Sequence, residues 1–435
     1  MSSPRILAIE AIDRIKHDGA YANLLSNELL AKANFSPQDA AFFTDVVNGT
    51  VRYLRYIDYI LNQCVTRKLD EIESNLLIIL ESAAYLYLIR DKAQHAIVNE
   101  AVQNARESIG ERAVGFCNAV LRKLVSRTPA AWKETLTVIE DLNVRLATEY
   151  SIPDWIFGQY KMQMPDDREL RYFLNTLNTP PQVSLLRPPG NRSAVRDLSP
   201  GNWSPFSYRE NRRGILGSTL LDSGFIVQDE GSQLVSLATV TAPIDGTDAR
   251  WLDMTAGPGG KATFLAAAAN IRNAKLIANE LHPHRARLIS NTMKRLDLSV
   301  EVTVGDALTQ SWGEKFDRVL LDAPCTGLGA IRRRAESRWR KQESDLVNLV
   351  DLQKRLINKA ISVTRSGGIV AYTTCSLHPR ETTEVVEFAR KTSNVEVIDA
   401  TKLVPMIPVA RGPYLRLWPH IHDTDGMFMA VLKVG

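Results

Sequence analysis

The sequence predicts a multidomain protein with an all-α N-terminal domain, a small α+β linking module and a C-terminal α/β doubly wound domain. Three observations predict it. Residues 5 to about 127 repeat apolar side chains at helical spacing, as in Ala8, Ala11, Ile12 and Ile15. Between about 145 and 240, Pro and Gly thicken around short strand-like runs such as Gln182-Val183-Ser184-Leu185-Leu186. From about 245 onward apolar strands alternate with helical patterns, which argues for a mainly parallel sheet. A chain of 435 residues also exceeds one ordinary core.

Within the first region, helices are expected at 24–33, 45–64, 71–90, 97–106 and 114–125. Ser36 stands where it can cap the N-terminus of a helix whose first residue is Pro37. Cys64 and Cys117 lie in apolar helical runs and read as small buried hydrophobes. In the last region, strands are expected at 250–253, 275–278, 300–304, 316–321, 368–372 and 427–432, with helices at 283–296 and 346–363. The domain boundaries implied are 1–140, 145–240 and 241–435. No internal repeat or low-complexity tract is present.

Composition excludes several classes. Apolar content of 45% and charged content of 23% are globular values, not those of a disordered chain. Four cysteines, none in a C-x-x-C pair, argue against a disulfide framework and a zinc cluster, so no metal is expected. The N-terminal apolar run is too short for a signal peptide. No apolar stretch approaches the ~20 residues of a membrane-spanning helix, so a cytoplasmic protein is expected. The net charge of +4 permits an acidic partner without requiring one.

Chemistry concentrates in the last region. Cys325, in Leu321-Asp322-Ala323-Pro324-Cys325-Thr326-Gly327, and Cys375, in Tyr372-Thr373-Thr374-Cys375-Ser376, each follow an expected strand. Both therefore belong at the strand ends where open α/β sheets bind ligands. Upstream, Asp253-Met254-Thr255-Ala256-Gly257-Pro258-Gly259-Gly260-Lys261 joins a strand to an Ala-rich helix. Its glycines admit a ligand close to the backbone, and the helix start offers unpaired N–H groups. The spacing matches neither G-x-G-x-x-G nor the P-loop. Two further strands end in acids, Glu280 and Asp306. Taken singly, each acid reads as a solvated strand-end residue and each Cys as a structural thiol. As an ordered set they read as a site.

These segments resemble the RNA 5-methylcytosine methyltransferases, which use S-adenosylmethionine and two cysteines. The runs Ala93-Gln94-His95-Ala96-Ile97-Val98-Asn99-Glu100-Ala101-Val102 and Gly115-Phe116-Cys117-Asn118-Ala119-Val120-Leu121-Arg122 are similar to the RNA-binding helical domain of NusB. Val227-Gln228-Asp229-Glu230-Gly231-Ser232-Gln233 and Thr424-Asp425-Gly426-Met427-Phe428 are similar to further family segments. The resemblance covers nearly the whole chain and points to bacterial small-subunit ribosomal RNA cytosine-C5 methyltransferases of the Sun or Fmu type, with a NusB-like domain before a Rossmann-like catalytic domain.

The resemblance implies roles residue by residue. Thr255, Ala256, Gly257, Pro258, Gly259, Gly260 and Lys261 would hold the methionine end of S-adenosylmethionine, Glu280 the ribose and Asp306 the adenine. Asp322 counts both as a cofactor-site residue and as the acid facing N3 and N4 of the base. Cytosine C5 becomes nucleophilic enough for methylation only after a thiolate adds at C6. DNA cytosine methyltransferases attack with a Pro-Cys thiol, which would nominate Cys325. RNA enzymes attack with the Cys of Thr-Cys-Ser, which nominates Cys375 and leaves Cys325 to assist release. Thr374-Cys375-Ser376 is present, so the second assignment is preferred. Two departures from the family stand out: Thr255 and Gly257 replace a Cys and an Ala of C-A-A-P-G-G-K, and Glu280 stands where Asp is common.

The basic run Ile331-Arg332-Arg333-Arg334-Ala335-Glu336-Ser337-Arg338-Trp339-Arg340-Lys341 begins six residues after Cys325. It is expected to rim the site, with Arg332, Arg333, Arg334, Arg338 and Arg340 on phosphates and Trp339 stacking or packing. The partner expected is small-subunit rRNA. A tRNA cytosine-C5 methyltransferase and a non-catalytic RNA-binding assembly or antitermination factor are the alternatives.

Overall fold

The computed structural model describes residues 3–195, 197–210, 224–407 and 412–435. The chain divides into two compact units, one of residues 1–179 with 331–342, the other of residues 180–330 with 343–435.

The first unit is helical. Seven of its helices run Pro4–His17, Ala22–Ala33, Pro37–Arg52, Leu54–Cys64, Ser74–Leu88, Gln94–Ser108 and Glu111–Val125. Ser36 accepts a hydrogen bond from the Asp39 amide (3.1 Å), and Pro37 opens the helix behind it, as expected. Ile12, Phe43, Ile57 and Leu121 are fully buried in one core, which also contains Cys64 and Cys117. The helix expected over 45–64 is broken at Tyr53. The Ser151 hydroxyl accepts from the backbone N–H of Arg55 (3.0 Å), an amide at the start of the second helix that has no intrahelical partner.

The region expected as a linking module over 145–240 is divided. Helices Asp154–Gln163 and Asp167–Asn178 belong to the first unit. The second unit begins with β1 (Ser184–Leu186), β2 (Leu198–Pro200), β3 (Ser207–Glu210) and β4 (Ile226–Val227), a sheet of order β2-β3-β1-β4. In the motif that follows, the buried Glu230 carboxylate accepts from the amides of Trp203 (2.6 Å) and Ser204 (2.7 Å).

The large sheet holds β5 (Arg250–Asp253), β6 (Lys275–Glu280), β7 (Glu301–Val304), β8 (Phe316–Asp322), β9 (Thr364–Thr374), β10 (Val395–Ile398), β11 (Leu415–Leu417) and β12 (Met427–Val434). Its order is β10-β12-β9-β8-β5-β6-β7, with β11 also paired to β12. The pairings among β5 to β9 are parallel, and those of β10, β11 and β12 antiparallel. Alternate side chains serve opposite faces. Leu320, Ala371, Met429 and Val431 join one core, and Val319, Leu321, Val370 and Phe428 the other. The chain builds outward from β5 through β6 to β7, then returns to place β8 on the other flank of β5. This reversal is the topological switch point, where doubly wound sheets open a crevice. Among the described residues, no helix is long and apolar enough to cross a membrane.

Candidate active site

Because β5 to β9 run parallel, their C-terminal ends share one edge of the sheet. That edge collects the loop after β5, Glu280 at the end of β6, Asp306 after β7, Asp322 at the end of β8, Cys325 just beyond it, and Cys375 after β9.

The glycine loop folds against Glu280. The Gly257 amide donates to Glu280 Oε2 (3.0 Å), the His282 amide donates to Oε1 (2.9 Å), and Arg285 donates to the Gly257 carbonyl. A Cβ on Gly257 would lie 2.0 Å from Glu280 Oε2. The Glu280 carboxylate thus occupies the space that an Ala side chain at 257 would need. Gly259 has φ of +114° at the entry to helix Gly260–Ile271, a conformation suited to glycine. Asp306 is exposed and accepts from the Leu308 amide (2.9 Å), which fixes the turn after β7.

Asp322 and Lys261 form an ion pair (Nζ to Oδ2, 2.7 Å). Burial works to lower the pKa of Lys261, but the Asp322 carboxylate, with Cys375 and Asp253, raises it overall. The Thr255 hydroxyl donates to the Asp322 carbonyl (2.9 Å), which ties the glycine loop to the end of β8.

The two thiols meet. Cys325 Sγ lies 3.4 Å from Cys375 Sγ, and both residues are partly exposed. The hydrogen bond to Cys375, then burial, then the nearby charges of Cys375, Glu381 and Asp322 push the Cys325 pKa well above the ordinary thiol value. Gly329 donates to the Cys375 carbonyl (2.9 Å), and Gly426 donates to the Gly329 carbonyl (2.7 Å). A Cβ on Gly329 would fall 1.9 Å from the Gly426 oxygen, so the Asp425-Gly426 segment is glycine-dependent because two backbones cross there.

Comparison with known proteins decides the family. The family described as "16S rRNA methyltransferase RsmB/F" matches residues 238–433, and the NusB family matches residues 2–126. A Mycobacterium tuberculosis protein named as a methyltransferase is 37% identical over 442 residues, covering 99% of this chain and 96% of its own. The chain belongs to the RsmB/F methyltransferase family. Ribosomal RNA small subunit methyltransferase B of Serratia proteamaculans is 27% identical over 445 residues, with 98% of each chain covered. Among solved structures, that titled "Crystal Structure of PH0851" superposes with a TM-score of 0.81 over 100% of this chain and 99% of its own, at 22% identity. NSun6 from Pyrococcus horikoshii with SFG gives a TM-score of 0.53 over 65% of this chain and 98% of its own, at 18% identity. Both show the fold. The protein is thus an S-adenosylmethionine-dependent RNA methyltransferase with a NusB-type helical domain.

The site fits that cofactor. Beside the glycine loop lie two buried polar groups, the Asp253 carboxyl and, against Gly260, the Gln228 amide, whose side-chain atoms have no partner among the described residues. Neither was singled out from the sequence, because a strand-end Asp and a lone Gln carry no pattern of their own. Burial, reinforced by Asp322 and opposed by Lys261, pushes the Asp253 pKa up to about 7. A carboxyl raised in this way binds extra protons in the folded state between its ordinary pKa and about 7. Its contribution therefore favours folding at low pH and is lost as pH rises through 7. Asp253→Asn should remove a slope of up to about 1.4 kcal/mol per pH unit from the cofactor-free protein. Urea unfolding of both proteins between pH 5 and 7.5 checks this, and identical slopes would contradict it.

The basic run belongs to the helical unit. Residues 331–342 leave the second unit and fold into the helical one. Arg338 is fully buried and donates to the carbonyls of Leu177 (2.8 Å), Arg52 (3.1 Å) and Ser151 (3.2 Å) and to the Asn178 side chain (2.8 Å). Buried Arg332 donates to the Thr179 carbonyl (2.9 Å), and Trp339 donates to the Val51 carbonyl (2.7 Å). Arg340 donates to the Ala20 carbonyl and covers the Tyr21 ring (4.9 Å). Arg333 is half-buried, and Arg334 is exposed. The expectation of phosphate contacts is corrected for Arg338 and Arg332, whose guanidiniums satisfy backbone carbonyls, and Trp339 packs rather than stacks on a base. Arg338→Ala should cost about 3–5 kcal/mol of stability, since it leaves several buried carbonyls unpaired and a large cavity. Thermal unfolding measures it; an unchanged midpoint with weakened RNA binding would restore the surface role.

Proposed function

We propose that the protein transfers the methyl group to C5 of a cytosine in small-subunit ribosomal RNA through a covalent bond between Cys375 and C6. The observation that carries the reading is the 3.4 Å pair of thiols at the ends of adjacent strands, beside the Asp322–Lys261 ion pair at the switch point. S-adenosylmethionine supplies an electrophilic methyl on a sulfonium centre. It would be held by residues Thr255 to Lys261, with Glu280 on the ribose and Asp306 on the adenine.

The chain's own groups divide the remaining work. Cys375, the cysteine of Thr-Cys-Ser, is the sulfur that attacks, its own proton passing to water, while Cys325, 3.4 Å away and with its pKa raised, stays a thiol during the attack. Bond formation at C6 moves the C5–C6 π electrons toward the ring nitrogen and oxygen. The Lys261 ammonium offsets that charge, and Asp322 holds the ammonium in place. The same electrons carry C5 onto the methyl. Once Cys375 is a thioether it no longer bears a charge, and the main cause of the raised Cys325 pKa disappears. Cys325 can then lose its proton to water and take the C5 proton; the C5–C6 double bond re-forms and the C6–S bond breaks.

Labelled methyl incorporation into naked small-subunit rRNA, assembled subunits and bulk tRNA tests the substrate. Label in rRNA as 5-methylcytosine is expected. Label in tRNA alone would favour the tRNA enzyme, and no label in any RNA would favour a non-catalytic assembly factor.

The cofactor cradle carries its own test. Gly257→Ala should weaken S-adenosylmethionine binding by about 1–3 kcal/mol, because its Cβ displaces the Glu280 carboxylate. Adding Glu280→Asp should recover most of that loss. Calorimetry on the two single variants and the double variant decides it; additive losses would separate the two positions.

A further inference from the structure

Six residues after Cys375, Glu381 ends a short turn and is fully buried. Its carboxylate accepts from the Thr326 amide (2.8 Å) and hydroxyl (2.5 Å), from the Ser376 hydroxyl (2.6 Å) and from Gln353 Nε2 (3.1 Å). Thr326 follows Cys325 in the chain, and Ser376 follows Cys375. Gln353 also donates to the Pro324 carbonyl (2.8 Å), the residue before Cys325. The Tyr372 hydroxyl donates to the Glu381 carbonyl (2.7 Å), which anchors the turn to β9. One carboxylate therefore holds the residue after each thiol, and the two hydroxyls it gathers also meet each other (Thr326 Oγ1 to Ser376 Oγ, 3.2 Å).

We propose that Glu381 is a positioning residue for the two-cysteine reaction: it clamps the Cys325 loop to the Cys375 loop and sets a negative charge beside Cys325. The clamp fixes the separation of the two sulfurs, so that one can attack C6 while the other reaches the proton on C5. The charge adds to the Cys375 contact and to burial in holding Cys325 as the thiol. The titratable groups facing Cys325 are Cys375, Glu381, Asp322 and Tyr372, with Lys261 engaged by Asp322. Among these, Glu381 is the acid that bonds to neither the cofactor loop nor Lys261, so its effect is separable from cofactor binding.

Glu381→Gln keeps the shape and removes the charge. In the free enzyme, the pH midpoint for iodoacetamide alkylation of Cys325, read by peptide mass spectrometry, should move about one unit toward acid. Turnover should fall by about tenfold or more, with KM for RNA and for S-adenosylmethionine unchanged. An unmoved Cys325 midpoint, or a loss confined to KM, would overturn the role. Thr326→Val retains the carboxylate and deletes one arm of the clamp. It should lower kcat without altering cofactor affinity, and wild-type turnover in that variant would overturn the clamp even if Glu381→Gln does not fold. The turnover arm rests on the two-cysteine reading above, whereas the alkylation arm does not. A shifted midpoint in an enzyme that leaves cytosine unmethylated would retain the Glu381–Cys325 coupling and reject the reaction.

Discussion

Cys375→Ala is expected to abolish product and adduct together, whereas Cys325→Ala should accumulate a protein–RNA complex that survives denaturing electrophoresis. Removing the attacking sulfur leaves no route to a nucleophilic C5, so turnover should fall by about 10⁴-fold or more. Removing the other thiol leaves the attack and the methyl transfer intact. It deletes the group that collects the C5 proton, and without that step the C6–S bond cannot break. One methyl per enzyme should still transfer, with multiple turnover reduced by about 10²–10⁴-fold. The asymmetry follows from giving the attack to Cys375 and the C5 proton to Cys325, two sulfurs 3.4 Å apart. A stable adduct with Cys375→Ala would exchange the two roles.

The second large effect concerns Asp322. Asp322→Asn should lower kcat by about 10²–10⁴-fold, because it removes the acid proposed to face the base and the 2.7 Å partner of Lys261. The Lys261 ammonium is then left buried without its strongest stabilising charge. Lys261→Met should produce a loss of similar size, and the double variant should lose little more than either single one. Steady-state kinetics against RNA and cofactor measure this. A raised KM for S-adenosylmethionine with unchanged kcat would confine Asp322 to cofactor binding.

Sequence patterns disclosed the site edge well, for a physical reason. Five parallel strands align their C-terminal ends, so residues that follow apolar runs must converge once the sheet forms. Cys325, Cys375, Asp322, Lys261 and Glu280 are therefore legible as a set. What escaped depends on partners distant in the chain. The break at Tyr53 is set by Ser151, 96 residues beyond Arg55. The basic run at 331–342 looks like a solvated face by composition, yet its guanidiniums are consumed by carbonyls of residues 52, 151, 177 and 179. Glu381 looks like an ordinary helix-start acid, and only its bond to Thr326, 55 residues away, shows otherwise. Gly257 and Glu280 look independent along the chain until the 2.0 Å approach of a Cβ at 257 to the Glu280 carboxylate couples them.

The covalent bond to Cys375 is tested most directly with RNA carrying 5-fluorocytosine at the target position. Fluorine at C5 cannot depart as a cation, so attack and methyl transfer proceed and release does not. After digestion, mass spectrometry of the trapped complex should show the methylated nucleotide attached to the peptide containing Cys375. Attachment to the Cys325 peptide, or methylation of the RNA with no adduct on either cysteine, would contradict the mechanism.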